Sequence, residues 1–402
     1  MTGLVMCGKP QFSGECRRVK LNEICSKGKS SLRQKDVFND GPYSVYGASG
    51  VIGTTSDYQN EIPYVAVVKD GAGVGRASAC EPRTSVLGTM QALIPNSNVE
   101  RDYLLHLVRS LRLGEGFSGS TIPHIYFKDY GKLEVPLPPL ETQKEIVSQL
   151  GLIEAQIEQA EAQTMRLDQL VKSRFIEMFG DCRLARQNQG WKRIGNIGEV
   201  LGGATPKTQV EEYWGGGLPW LTPAEIGDSI YVNATSRTLT SEGVRSCSLS
   251  KLPAGTVLLS SRAPIGKVAI AGNDMYCNQG FKNIVCGDSV LPRYLYSLLK
   301  FNSDYLNSLG RGATFKEISK RIVEDIKIPV PAVELQLQFE CFAQKVDKLR
   351  FRCLETLRLY LATVHFVAQQ IVVMAGLFWG QRNIKPRCFN ATWIRMEDGQ
   401  HG

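Results

Sequence analysis

Three glycine-rich stretches carry the residue types of a phosphate-binding loop. Gly114-Glu115-Gly116-Phe117-Ser118-Gly119 has the spacing G-x-G-x-x-G. It follows a helical pattern and opens no helix, so a phosphate there would meet no helix N-terminus. The stretch Gly71–Gly75 follows an apolar strand but leads into another strand. Gly28-Lys29-Ser30 ends like a phosphate loop, yet Glu23 stands where that motif needs glycine. The four histidines, His106, His124, His365 and His401, lie apart from any Cys or acidic set with metal spacing, so no metal site is expected. The Asn/Asp-Pro-Pro-aromatic quartet used to methylate a base amino group is absent from the sequence. The residues therefore predict no catalytic centre. A nucleotide-dependent enzyme using the Gly71–Gly75 loop is the enzymatic alternative.

The elements that would position any site are more telling. From Glu141 to Gly180 the chain has no proline. Its less polar positions, Ile146, Leu150, Ile153, Ile157, Ala160, Thr164, Leu167 and Val171, alternate in steps of four and three, a heptad seam. A helix of that length is about 60 Å long and needs a partner along its flank. A second run supplies one, with Phe339, Phe342, Val346, Leu349, Cys353, Thr356, Tyr360, Val364, Val367 and Ile371 in similar steps. Pro136 and Pro138 precede the first run and Pro329 and Pro331 the second, and 329 − 136 = 193. The same offset carries Gln143 onto Gln336, Leu133 onto Ile326, Gly119 onto Gly312, Thr121 onto Thr314 and Ile125 onto Ile318. A period this long means two domains in tandem rather than a solenoid.

Bulk properties fit that plan. A chain of 402 residues with 43% hydrophobic and 21% charged residues suits two or three domains with real cores. The net charge is +8, and the first long helix is acidic, so the positive excess lies elsewhere and favours a polyanion partner. Eleven cysteines without a Cys-x-x-Cys pair read as reduced thiols in a cytoplasmic protein. Residues 1–20 lack the apolar core of a signal peptide. The most apolar run, Val364 to Trp379, is broken by His365, Gln369 and Gln370, so no membrane span is expected.

The order of local motifs resembles the specificity (S) subunit of type I restriction-modification systems. The matching stretches are Tyr46-Gly47-Ala48-Ser49-Gly50-Val51-Ile52-Gly53, Val135-Pro136-Leu137-Pro138-Pro139-Leu140 before Glu141-Thr142-Gln143, and Lys172-Ser173-Arg174-Phe175-Ile176-Glu177-Met178-Phe179-Gly180-Asp181. In the second half they are Trp220-Leu221-Thr222-Pro223 and Ile328-Pro329-Val330-Pro331 before Gln336. The second copy departs from the first in having Ala332-Val333 where the first has Pro139-Leu140. The resemblance implies an α+β chain with an internal pseudo-two-fold repeat. Two globular α/β target-recognition domains would be joined and separated by two long antiparallel helices, a coiled-coil spacer. The domains expected are a first globe over 1–138, a helix over 139–180, a second globe over 181–331, a helix over 332–375, and a tail over 376–402 that matches nothing. The family implies a non-catalytic subunit. Each globe would read one half of a split double-stranded DNA target, with the helices setting the gap. Two modification (M) subunits would dock on the helices and methylate adenine, and restriction (R) subunits would complete the complex. S-adenosylmethionine would belong to the M subunit and ATP and Mg to the R subunit, with no cofactor in this chain. A coiled-coil scaffold without a nucleic-acid partner is the other alternative.

Candidate DNA contacts are the cations and hydroxyls of loops and tight turns. They are Lys27, Lys29, Arg33 and Lys35 in a basic loop, Arg76 and Lys267 on paired glycine turns, Arg262 and Lys282, and Ser120, Thr121, Arg311 and Thr314 in paired flexible loops. The basic loop also fits a solvated edge. Tyr43, Tyr46 and Trp220 fit either core or contact. Glu154, Glu158 and Glu161, on the outer face of the first helix, fit either solvent or a partner. Ile146, Leu150, Ile153, Ile157, Leu167, Val171, Phe339, Phe342, Val346, Leu349 and Val364 are expected to pack helix on helix.

Overall fold

The structure, a computed structural model, describes residues 16–118, 122–262, 264–312 and 316–374, the side chains as far as 363. The chain divides into two compact units. Unit 1 comprises Met1–Gln159 and Thr356–Gly402, and unit 2 comprises Ala160–Glu355.

In unit 1 the valine-rich run Tyr64–Val68 is buried at every position and forms an inner strand. It lies in a four-stranded antiparallel sheet ordered Cys25–Lys27, Met90–Pro95, Tyr64–Val68, Ala77–Cys80. A three-stranded sheet is ordered Gly50–Thr55, Tyr43–Gly47, Ser85–Val86, with the last pair parallel. Arg17–Lys20 pairs with Glu134–Leu137 to bring the two ends of the globe together. Helix α1 (Arg101–Ser110) starts at Glu100, whose carboxylate accepts from the Tyr103 backbone N–H at 2.7 Å. It buries Tyr103, Leu104, Leu107 and Val108 in the core.

Long helix α2 (Leu140–Phe179) leaves this globe. Its first turns complete the core of unit 1 through Ile146 and Leu150, which are 1% and 2% exposed. At Glu154 the helix meets α1 again. The carboxylate lies 3.5 Å from Arg109 and 3.9 Å from His106. Burial holds the His106 imidazole below its ordinary pKa, against the opposing pull of Glu154.

Unit 2 repeats each of these strand pairings and adds one strand. Its large sheet is ordered Gly198–Gly202, Lys282–Cys286, Val257–Leu259, Val268–Ala271, with Tyr231–Val232 added parallel at the edge. Its small sheet is ordered Arg237–Leu239, Trp214–Leu221, Tyr276–Cys277, again with one antiparallel and one parallel pair. Lys192–Arg193 pairs with Lys327–Ile328. Helix α3 (Pro292–Phe301) takes the place of α1, and long helix α4 (Val333–Met374) that of α2. Trp220 is 3% exposed and belongs to the core, while Tyr43 and Tyr46 are half-buried.

Within unit 2 the two long helices run side by side in opposite directions. Phe175 meets Phe339 with ring centroids 5.2 Å apart, Asp168 meets Arg350 at 3.1 Å, and Gln163 meets Cys353 at 3.7 Å. Later residues of one helix thus face earlier residues of the other. Phe175 also touches Tyr294 and Phe301, so the end of α2 and the start of α4 close the same core. Leu167, Val171 and Phe342 are half-buried and Val346 is buried in unit 2, and Ile153 and Ile157 are half-buried in unit 1. Leu349 is a correction. It is 51% exposed, because the seam of α4 passes through Phe339, Ala343, Val346, Arg350, Cys353 and Leu357 instead. Val364 lies outside the described side chains.

One buried hydrogen-bond group occurs twice. Gln143 accepts from the Glu100 N–H at 2.9 Å and donates to the carbonyls of Asn98 and Pro138 at 3.0 and 2.9 Å. Gln336 accepts from the Leu291 N–H at 2.8 Å and donates to the carbonyls of Ser289 and Pro331 at 3.0 and 2.8 Å. Both side chains are fully buried. Beside them, Tyr103 donates to Pro136 and Tyr294 to Pro329. Removing either amide strands three backbone groups, at about 1–3 kcal/mol for each left buried and unpaired. Gln143→Ala and Gln336→Ala should each lower stability by several kcal/mol in urea unfolding, whereas Gln156→Ala on the exposed helix surface should change it by less than about 0.5 kcal/mol. Equal, small effects at all three would show that the two amides do not hold globe to helix.

Candidate nucleic-acid interface

Unit 1 has an open cleft of about 450 Å³ lined by Lys27, Lys69, Asp70, Gln91, His124, Tyr126, Phe127 and Lys128. Four segments build it: the edge strand Cys25–Lys27, the turn after Tyr64–Val68, the strand Met90–Pro95, and residues 124–128 entering the short helix Phe127–Tyr130. The turn and the last segment are stapled together. Gly71 N–H donates to the Pro123 carbonyl at 3.0 Å, Ile125 N–H to Lys69 at 2.9 Å, and His124 Nδ1 lies 2.7 Å from Asp70 Oδ1. Rings and cations interleave at the mouth. Lys27 Nζ is 5.7 Å from the Phe127 centroid and Lys128 Nζ is 5.3 Å from that of Tyr126. The His124 and Tyr126 rings stack at 6.3 Å. Three ammonium groups with an exposed tyrosine can hold a polyanion and offer a ring face to a base.

Unit 2 keeps the scaffold and changes the charges. Ser118 and His124 exchange two backbone hydrogen bonds at 2.8–2.9 Å, and Arg311 and Glu317, 193 residues later, do the same at 3.0–3.1 Å. Ile318 N–H donates to Ser261 as Ile125 does to Lys69. The bridged pair Asp70 and His124 becomes Arg262 and Glu317. Lys282 Nζ lies 3.1 Å from Glu317 and 3.3 Å from Ser261 Oγ, so its charge is met inside the unit.

The cations expected from sequence are thus sorted. Lys27 belongs to the cleft. Lys29 is exposed, with its backbone held on both sides by the Asn60 amide at 3.0 Å. Arg33 pairs with Asp36 at 3.3 Å and Lys35 is exposed beside it. Arg76 turns back on its own loop, donating to the Gly73 and Ala72 carbonyls at 3.3 and 3.4 Å. Lys267, its repeat mate, donates to the Ile226 and Pro223 carbonyls at 2.8 and 3.3 Å and fastens that loop. Arg262 is half-buried and Arg311 is exposed at the loop mouth. Ser120, Thr121 and Thr314 lie outside the described residues. Sequence reading missed Lys69, His124, Tyr126 and Lys128. The available signal was the aromatic–cation run Tyr126-Phe127-Lys128, just after the flexible loop.

The glycine stretches have a structural explanation. Gly75 has φ +85°, and a Cβ there would stand 2.2 Å from the Gly114 nitrogen. Two backbones pack directly at that point, leaving no cradle for a phosphate. Burial pushes the Cys25, Cys80 and Cys277 thiols up to about 12, so they are not nucleophiles at neutral pH. Among the described residues no His, Cys, Asp and Glu group could hold a metal ion, and no helix is long and apolar enough to cross a membrane.

A family model described as the type I restriction modification DNA specificity domain matches residues 15–166 and again residues 188–356. The chain belongs to this specificity family. Its two matched segments coincide with the two topological copies. The MjaIX specificity subunit of Methanocaldococcus jannaschii is 41% identical over 186 residues, 45% of this chain and 43% of that relative. The EcoR124I/EcoR124II specificity subunit of Escherichia coli is 29% identical over 166 residues, 40% of this chain and 41% of that protein. The chain thus aligns with less than half the length of these two family members. Among solved structures, the type I restriction-modification S subunit from M. genitalium has the same fold. Its TM-score is 0.57 at 14% identity, covering 90% of this chain and 97% of that one. A chain from the structure of a type I R-M system, described in terms of complex assembly and conformational transition, gives 0.53 at 19%, covering 89% and 97%.

The staple across the cleft is testable without any ligand. Asp70→Ala should speed amide exchange at Gly71 and Ile125 at least tenfold while Val65 and Val67 in the buried strand stay protected. Unchanged exchange at Gly71 and Ile125 would mean the backbone bonds alone hold the cleft wall.

Proposed function

We propose that this chain is the DNA-recognition subunit of a type I restriction-modification complex. Each globe reads one half of a bipartite duplex target, and the long helices set the gap between the halves. The domain limits of this reading are 1–138 and 181–331 for the two readers, 139–180 and 332–375 for the helices, and 376–402 for the tail. The chain carries no chemistry of its own. Two modification subunits dock on the helices and methylate adenine with S-adenosylmethionine. Restriction subunits bring ATP and Mg, and the assembly works in the cytoplasm.

The observation that carries this reading is the double occurrence of one scaffold with different site chemistry. The Gln143 and Gln336 clamps and the strand orders agree, while Asp70 and His124 give way to Arg262 and Glu317. Matching frames with different loops suit two half-sites of different sequence. Joining two weak readers in one chain makes the second binding event intramolecular and demands a fixed half-site distance. The outer helix surfaces fit large partners. Met165, Leu170, Leu349 and Phe351 are all at least 47% exposed in unit 2, an unusual apolar display for a solvated helix.

With its modification subunit, the chain should bind a split-site duplex, and affinity should fall linearly in log–log with salt. Lys27→Ala with Lys69→Ala and Lys128→Ala should weaken binding by at least tenfold and flatten that slope by about two to three. Binding indifferent to salt, or absent across a random duplex pool, would favour the scaffold reading. Inserting one heptad into both long helices adds about 10 Å. It should lengthen the preferred gap by about three base pairs at about 3.4 Å each, and an unchanged gap would refute the spacer role.

A further inference from the structure

Several exposed arginines of this chain are spent on carboxylates: Arg33 on Asp36, Arg109 on Glu154, Arg183 on Asp181 and Arg193 on Asp325. Arg237 differs. It starts the strand Arg237–Leu239 in the small sheet of unit 2 and is exposed. Its guanidinium carbon lies 3.5 Å from the Trp214 ring centroid and 5.6 Å from that of Trp220. The two indoles meet edge to face, 5.1 Å apart at 82°. Each is anchored, Trp220 Nε1 donating to the Ala204 carbonyl at 3.0 Å and Trp214 Nε1 to Lys207 at 3.3 Å. The platform under the guanidinium is therefore rigid.

The donors of that guanidinium are free. Among the described residues it makes no hydrogen bond or ion pair. The carboxylate that reaches the preceding residue is already used. Glu225 accepts from the Thr222 N–H and hydroxyl and from the Ser236 N–H at 2.7–2.8 Å. The approach is open as well, since Arg237 is exposed at the start of its strand. A planar fork held over an indole ring, with its donors unspent, matches a pair of acceptors side by side.

We propose that Arg237, held on Trp214, is a DNA contact of the second globe, directing its fork to paired acceptor oxygens or nitrogens. These are the O6/N7 edge of a guanine or the oxygens of one phosphate. This inference rests on the DNA-recognition reading above. The corresponding strands of unit 1, Tyr43–Gly47 and Gly50–Thr55, contain no arginine. The contact therefore belongs to one half-site only.

The test uses the full chain assembled with its modification subunit. Duplexes selected from a random pool report the preferred sequence, and fluorescence anisotropy at several salt concentrations reports affinity. Arg237→Ala should weaken binding by about five- to a hundredfold. Trp214→Leu, which keeps the charge but removes the platform, should weaken it by a smaller factor. With a guanine contact, one position in one half of the target loses its preference and the salt slope is unchanged. With a phosphate contact, the preferred sequence stays, the slope shrinks by about one, and Arg237→Lys restores most of the affinity. Arg237→Ala with unchanged affinity, sequence and slope overturns the proposal, and so does relaxed sequence in both halves. If the unsubstituted protein selects no duplex, the recognition reading itself fails. Should Arg237→Ala lower the melting temperature, Arg237→Gln supplies the same comparison with the side-chain stem retained.

Discussion

A single buried amide at the foot of each long helix holds this chain's geometry. Gln143 and Gln336 each join three pieces of backbone: the N-terminus of the globe's own helix, the loop before it, and the proline-flanked segment that becomes the long helix. A glutamine has one acceptor oxygen and two amide hydrogens, and all three are used. In a water-free setting such a group tolerates little rotation, because any turn of the helix would leave backbone groups unpaired. Hydrophobic contacts alone would not set the angle so tightly. Ile146 and Leu150, or Phe339 and Ala343, would stay buried through a modest swivel. The amide converts a greasy contact into a directed joint, and the tyrosine hydroxyls of Tyr103 and Tyr294 brace it from the other side.

That joint explains why the scaffold can be duplicated while its surfaces diverge. The paired residues that differ, such as His124 and Glu317 or Asp70 and Arg262, lie on a loop closed by main-chain bonds. Main-chain closure does not depend on side-chain identity, so the chemistry at the mouth can change without moving the frame. In unit 1 this leaves three lysines around an open cleft, whereas in unit 2 Lys282 is engaged by Glu317. Two halves of one chain thus present different surfaces at equivalent places.

Much of this was legible in the sequence because it is periodic or repeated. The offset of 193 found Gln143 and Gln336 before any hydrogen bond was visible. The same offset, carried further, would have prevented the error at Leu349. It sends Ile153, Ile157, Ala160 and Thr164 onto Val346, Arg350, Cys353 and Leu357, the observed seam, and pairs Leu349 with exposed Gln156. Hydrophobicity misled because the true seam carries an arginine while an apolar residue sits beside it. The cleft was hidden for another reason. Lys27, Lys69 and Lys128 come from three separated segments, and only the sheet order brings them together. Lys267 looked like a contact because it follows a glycine turn, yet whether a cation is free depends on which carbonyls pass nearby. Arg237 gave no local signal at all, since its partner indole is on a neighbouring strand.

The arginine in the seam has its own logic. Arg350 faces Asp168 across the paired helices, and Arg293, 2% exposed, reaches Asp347 at 3.0 Å. Two guanidinium nitrogens of Arg293 have no hydrogen-bond partner, and burial pushes the Asp347 carboxyl above its ordinary pKa. Such a layer is a poor source of stability, since desolvation offsets much of the attraction. Its effect is on register. A seam of Leu, Val and Phe would tolerate a slide of one heptad with modest loss, but the same slide would strand Arg350 away from Asp168 in an apolar groove. Unit 1 has Ile157 at the position of Arg350, and Glu154, at the position of Asp347, sits half-exposed beside His106 and Arg109. In unit 2 the ionic layer thus gives an otherwise repetitive seam a single register.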